Sequence, residues 1–159
     1  MDKEFKIQYA VFQNKEALSD DDRKLYNAAL ESRTKAYAPY SKFHVGCAML
    51  LEDGQIIVAN NQENAAYPSG LCAERSAIFW AASNFPHVAI KKIFVIGGAE
   101  ENPASTPIPP CGACRQSILE YESKQNKNIE LFFTSVEGEI IKTQSVRDLL
   151  PFSFDASYL

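Results

Sequence analysis

Two short stretches constrain this chain of 159 residues more than anything else in it: Cys72-Ala73-Glu74-Arg75 and Pro110-Cys111-Gly112-Ala113-Cys114-Arg115. Each lies where a helix is predicted to begin. A helix start presents unpaired N–H groups and positive partial charge, which favour a thiolate and lower its pKa. Two such ends converging would place three thiolates around one ion. Three protein ligands with one open position is the arrangement of a catalytic zinc, whereas a structural zinc normally takes four. The fold must therefore bring two helix N-termini to one place.

The pattern of elements is compatible with that demand. Residues 1–18 contain the alternation Phe5, Ile7, Tyr9, Val11, readable as an edge strand or a draped arm. Ser19 followed by Asp20, Asp21 and Asp22 opens a helix expected to run to about Tyr37, before Pro39. Val45 to Leu51, a turn at Asp53-Gly54, and Ile56 to Asn60 read as a hairpin. A helix follows from about Leu71 to Ala82, with Ile78, Phe79 and Ala82 on its apolar side, and then a buried strand over Lys92 to Ile96. The proline-containing segment Glu100 to Pro110 is a loop. Gly112 to Lys124 is helical, Glu130 to Thr134 a strand, Glu137-Gly138 a turn into Ile140 to Thr143, and Ser145 caps a short helix before Pro151. Helices alternating with strands give a layered α/β sandwich, with the last strands expected to be parallel. The division expected is an N-terminal extension over 1–18 and one domain over 19–159.

Composition narrows the function classes. Hydrophobic residues at 46% and charged ones at 23% fit an ordinary globular domain, not a disordered or fibrous chain. A formal net charge of −4 and the lack of a long basic run disfavour a grip on nucleic acid, which needs several Lys or Arg on one face. No apolar run reaches the roughly 18 residues of a membrane helix, and the N-terminus lacks the apolar centre of a signal peptide. A cytoplasmic protein is expected. In a reducing compartment the four cysteines, one pair in a C-x-x-C, point to metal or catalysis rather than to two disulfides.

Cys47, between Gly46 and Ala48 in an apolar strand, reads as a small core residue, and neither His44 nor His87 has a ligand-like neighbour. An open fourth position on the ion follows. Glu74 lies two residues after Cys72, a turn of roughly 200° on a regular helix. Both can face one pocket only if Cys72 precedes the regular helix, which Pro68-Ser69-Gly70 allows. A carboxylate beside a metal-activated water can take its proton and pass it to a leaving group. Arg75 and Arg115, adjacent to ligands, are natural donors to the sulfurs. A lone C-x-x-C is shared with redox pairs and zinc knuckles, and a lone C-A-E carries little. C-A-E-R followed by P-C-x-x-C-R, with 38 residues between Cys72 and Cys111, is specific.

From Ala38-Pro39-Tyr40-Ser41-Lys42-Phe43 to Pro151 and Phe154, the chain closely resembles the cytidine deaminase family, in its small three-cysteine branch. The stretches A-P-Y-S-K-F-H-V-G, N-Q-E-N-A-A-Y, L-C-A-E-R and P-C-G-A-C-R-Q follow that family's order. The resemblance implies a three-layer α/β/α sandwich around a five-stranded mixed sheet. It implies one zinc per chain held by Cys72, Cys111 and Cys114, with Glu74 shuttling protons and Arg75 donating to the thiolates. Asn61 and Glu63 would bind ribose hydroxyls, and Phe43 and Ala73 would line the nucleoside pocket. Phe154 would cover a neighbouring subunit's site in a homotetramer. The activity implied is hydrolytic deamination of cytidine and 2′-deoxycytidine, within pyrimidine salvage, with a small-molecule nucleoside as partner and neither membrane nor nucleic acid. Three alternatives remain: a same-fold deaminase of another nucleoside-like molecule such as blasticidin S, an editing deaminase, and a zinc-stabilised binding module.

Overall fold

The computed structural model describes residues 1–101 and 104–159. Its six strands are β1 (Tyr9–Phe12), β2 (Phe43–Leu51), β3 (Ile56–Asn60), β4 (Ile90–Ala99), β5 (Glu130–Ser135) and β6 (Ile140–Thr143). Its α-helices are α1 (Asp20–Arg33), α2 (Ala73–Asn84) and α3 (Gly112–Gln125). One sheet runs in the order β1-β6-β5-β4-β2-β3. The fold class is as expected, with six strands rather than five. The difference is β1: the alternating arm pairs antiparallel with β6, from Tyr9 opposite Thr143 to Phe12 opposite Ile140.

Local sequence explains the elements. The Ser19 hydroxyl accepts from the Asp22 N–H at 3.2 Å and donates to the Asp22 carboxylate at 2.8 Å, capping α1. Gly54, at φ +90°, supplies the left-handed residue of the β2–β3 turn. β4 is central and buried on both sides, so it reads as one apolar run. Its Ile93 and Val95 join Leu131 and Phe133 beneath α2 and α3. Phe94 and Ile96 join Phe132, with Leu25, Tyr26 and Ala29 of α1, on the other face. Two cores thus sandwich the sheet, and Phe94 and Phe132 stack at 5.0 Å within the second.

Three expectations need correction. α1 ends at Arg33 rather than near Tyr37, because the chain beyond it is drawn across to residues 61–63, with the Tyr37 N–H donating to the Asn61 carbonyl at 3.0 Å. Among the six strands only β4 and β5 pair in parallel, through the α3 crossover; β6 returns antiparallel on the short 136–139 turn. Phe79 is exposed, since the buried face of α2 runs through Glu74, Ala77, Ile78 and Ala81. The expected loop over 100–110 includes Asn102 and Pro103, which lie outside the described residues.

Candidate metal centre and substrate cleft

The parallel β4–β5 pair sets α2 and α3 side by side, with their first residues at one end of the sheet. Cys72 is the N-cap of α2 and Cys111 the N-cap of α3, both with extended backbone (φ −67°, ψ 155° and φ −66°, ψ 165°). Cys72 therefore stands outside the helical repeat, as its spacing to Glu74 required. No side chain caps either helix, so the first N–H groups of both are left to polarise the thiols. Cys114 lies one turn into α3 and is buried.

The three sulfurs lie within 4.8 Å of one another, with Cys72 Sγ 3.8 Å from Cys111 Sγ and Cys111 Sγ 3.5 Å from Cys114 Sγ. Tetrahedral zinc–thiolate bonds of about 2.3 Å would set sulfurs about 3.8 Å apart. The donor set fits zinc in kind and in spacing. Cys47 is wholly buried in β2, outside the cluster, and burial pushes its thiol pKa well up.

Electrostatics favour giving up a first proton. The Cys72 thiol is lowered to about 5 by hydrogen bonding to Cys114, then by Arg75, whose Nη2 lies 3.5 Å from its sulfur, and by Cys111. Cys114 is shifted the opposite way by the same shared proton and by burial. Arg75 Nε is buried without a hydrogen-bond partner. Arg115, expected to serve the sulfurs as Arg75 does, instead donates from Nε to the Pro110 carbonyl and from Nη1 to the Leu149 carbonyl, both at 2.8 Å. Adjacency in sequence does not fix the direction in which a side chain turns.

Glu74 is only 4% exposed. Burial pushes its carboxyl up to about 7, against a smaller opposing effect of its own backbone N–H. A buried carboxyl that titrates near neutrality can both hold and release a proton at working pH.

Beside the cluster opens a cleft of about 430 Å³ bounded by Tyr40, Ser41, Asn61, Glu63, Tyr67 and Cys72. Glu63 accepts from the Tyr40 N–H at 2.9 Å, the Ser41 N–H at 3.3 Å and the Ser41 hydroxyl. The Ser41 hydroxyl in particular holds its carboxyl below the usual range, as an anion. Asn61 accepts from the Val45 N–H at 2.8 Å and donates to the Phe43 carbonyl at 2.9 Å, fixing the start of β2. Ala73 is fully buried as the first residue of α2. Phe43 is half-buried at the head of β2 and is not among the residues that bound the cleft. Phe154 is brought to neither site: it is 59% exposed, stacked on Tyr158 at 5.3 Å. Tyr40 and Tyr67, meeting edge to face at 6.0 Å, are cleft residues that the sequence reading does not single out. Their signal was position, inside A-P-Y-S-K-F and N-A-A-Y.

The family model described as the cytidine and deoxycytidylate deaminase zinc-binding region matches residues 19–127. A protein named cytidine deaminase from Sporosarcina psychrophila is 41% identical over 141 residues, covering 87% of this chain and 96% of the relative. A crystal structure of cytidine deaminase from Burkholderia pseudomallei superposes with a TM-score of 0.71 at 39% identity, over 82% of this chain and 97% of that one. A protein named blasticidin-S deaminase from Bacillus cereus is 30% identical over 142 residues, covering 86% of this chain and 94% of the relative.

Proposed function

The chain belongs to the cytidine and deoxycytidylate deaminase family, and from that premise we propose that it hydrolyses cytidine and 2′-deoxycytidine to uridine and 2′-deoxyuridine, releasing ammonia. The observation that carries this is the convergence of three sulfurs on two helix starts beside a buried carboxyl titrating near 7. Cys72, Cys111 and Cys114 hold the zinc. When bound, zinc lowers the pKa of water from about 15.7 toward about 7 and so makes hydroxide available at neutral pH.

The protein's own groups manage the protons. Glu74 takes a proton from the attacking water and places it on the ring nitrogen beside the carbon that carries the amino group. After the oxygen–carbon bond has formed, Glu74 delivers the second proton to the amino nitrogen. The carbon–nitrogen bond then breaks and ammonia leaves. Arg75, donating to Cys72, offsets the negative charge of three thiolates on one divalent ion. Asn61 and Glu63 bind the ribose hydroxyls, since an amide and an anionic carboxylate retain acceptor capacity beyond the bonds they make to backbone. The family resemblance assigns Phe43 and Ala73 to the base, Phe43 from beside the cleft rather than from its wall.

The reading extends to a cytoplasmic enzyme of pyrimidine salvage and to a homotetramer in which Phe154 closes a neighbour's site. The exposed rings of Phe152, Phe154 and Tyr158 near the chain end, and of Phe79 and Trp80 on α2, support an assembly. The catalytic unit is 19–159, with 1–18 an extension that adds β1 to its sheet. No described helix is long and apolar enough to cross a membrane. The similarity to a blasticidin-S deaminase gives the second reading, the same chemistry on another nucleoside-like molecule.

Zinc content and ammonia release from cytidine test the proposal together. Wild type is expected to hold about one zinc per chain and to release ammonia. Cys111→Ala should lose both, and Cys47→Ala should keep both. Glu74→Gln should keep zinc while turnover falls by about 10² to 10⁴ or more. Near-normal turnover of Glu74→Gln would remove that residue from the chemistry. Ammonia from blasticidin S but not from cytidine would move the assignment to the second reading.

A further inference from the structure

We infer that Arg115 is a positioning residue that ties the C-terminal tail to the metal-binding end of α3. This rests on the reading of Cys111 as a zinc ligand and extends it to a residue that touches neither metal nor substrate.

One guanidinium joins two segments far apart in sequence. Nε reaches the carbonyl of Pro110, the buried residue immediately before Cys111; Nη1 reaches the carbonyl of Leu149, where the tail leaves the Val146–Leu149 turn. The neighbouring side chain continues the attachment, since Gln116 donates from Nε2 to the Phe154 carbonyl at 2.9 Å. Further along, Arg147 pairs with Asp155 at 2.9 Å. The tail is thus hung along α3, beginning in the turn that carries Cys111 and Cys114.

The chemistry requires arginine. Its donors sit in a rigid planar fork, so two carbonyls can be served in fixed directions from one side chain, whereas a lysine ammonium is a single point on a flexible stem. Hydrogen bonds from a charged donor are stronger than neutral ones, and removing the donor strands two carbonyls that have lost their partner. Whatever holds Cys111 holds Pro110, and through Arg115 it holds the tail. The coupling is reciprocal: a tail held in place steadies the ligand. Groups that orient metal ligands from behind are worth roughly 10- to 100-fold in metal affinity.

The test uses the full-length, zinc-loaded protein and reads the rate of zinc transfer to a chelator. Arg115→Lys, which keeps charge and approximate length, and Arg115→Ala should both release zinc at least about tenfold faster than wild type. Hydrogen exchange over residues 149–155 should quicken in the same two variants. Leu25→Ala, in the core on the far face of the sheet, should lower the melting temperature while zinc release stays within about twofold of wild type. Arg115→Lys releasing zinc like wild type, or Leu25→Ala releasing it as fast as Arg115→Lys, would overturn the inference and leave the zinc assignment intact. A wild type that binds no zinc would overturn the zinc assignment, and this inference with it.

Discussion

A β-carbon built on Gly46 would stand 2.0 Å from the Ala29 carbonyl oxygen and 2.6 Å from the Arg33 nitrogen, backbone atoms that cannot yield singly. The glycine lets α1 lie against β2, and Arg33 completes that contact by donating to the carbonyls of His44 at 3.1 Å and Gly98 at 2.9 Å. Gly46→Ala is therefore expected to cost about 3 kcal/mol or more, at or above the usual upper range for overpacking. A chemical denaturation midpoint close to wild type would show that helix and strand separate more easily than the geometry allows. At this scale the sequence was readable where chemistry depends on residue type and spacing. The gathering of Cys72, Cys111 and Cys114 was legible, as was the proposal of Glu74 beside them, and Cys47 could be set aside by its apolar neighbours. Arg33 and Arg115 could not be read, because their work is to reach backbone carbonyls brought close only by the finished fold.

The C-terminal tail, whose one regular piece past Leu149 is the 3-10 turn Ala156–Tyr158, is held largely by side-chain bonds. Asp155 accepts from the Ser157 hydroxyl at 2.6 Å, the Ser157 N–H at 3.0 Å and Arg147 at 2.9 Å, and these, Ser157 foremost, lower its carboxyl to about 2. A depressed carboxyl stabilises the folded form fully above its ordinary pKa of 3.8 and loses that contribution as pH falls through about 2. Protection from hydrogen exchange over 153–159, taken relative to the intrinsic amide rate at each pH, should therefore fall between about pH 4 and pH 2 in wild type. In Asp155→Asn protection should be low already at pH 4 and change less over that window; an equal pH dependence in the two would assign the effect elsewhere. The three helices and the strands β2 to β6 were legible: caps at Ser19 and Ser145, the Asp53-Gly54 turn and the apolar run of β4 all act locally. Element ends were less so. The last turn of α1 is decided by the pull of residues 61–63 on Tyr37, not by Pro39. The sixth strand depends on an unpaired edge of β6 that no local pattern reveals.

At the scale of the molecule the sheet has two open edges, β1 and β3. Beside β3 lies a shallow apolar groove of about 380 Å³ formed by Ile56, Val58, Ser76 and Trp80, with Val58 52% and Trp80 51% exposed. Such a patch beside a free edge suits another copy of the chain. Trp80→Glu should lower the mass found by light scattering below that of wild type, for which a tetramer is proposed, while zinc stays at about one per chain. An unchanged mass would place the subunit contact on another face. The two cysteine-bearing helix starts carry one more consequence, concerning the chain before it folds. An unfolded polypeptide offering Cys72 and Cys111 to one ion would have to close a loop of 38 intervening residues, at a conformational cost of about 4 kcal/mol. In the native protein that loop is already closed, because α2, β4 and their packing hold its ends together. Zinc accordingly discriminates between the two ensembles and draws the equilibrium toward the native one by mass action. The ion that serves the reaction is also a ligand of the folded state, and its stabilising effect grows with the concentration of free zinc.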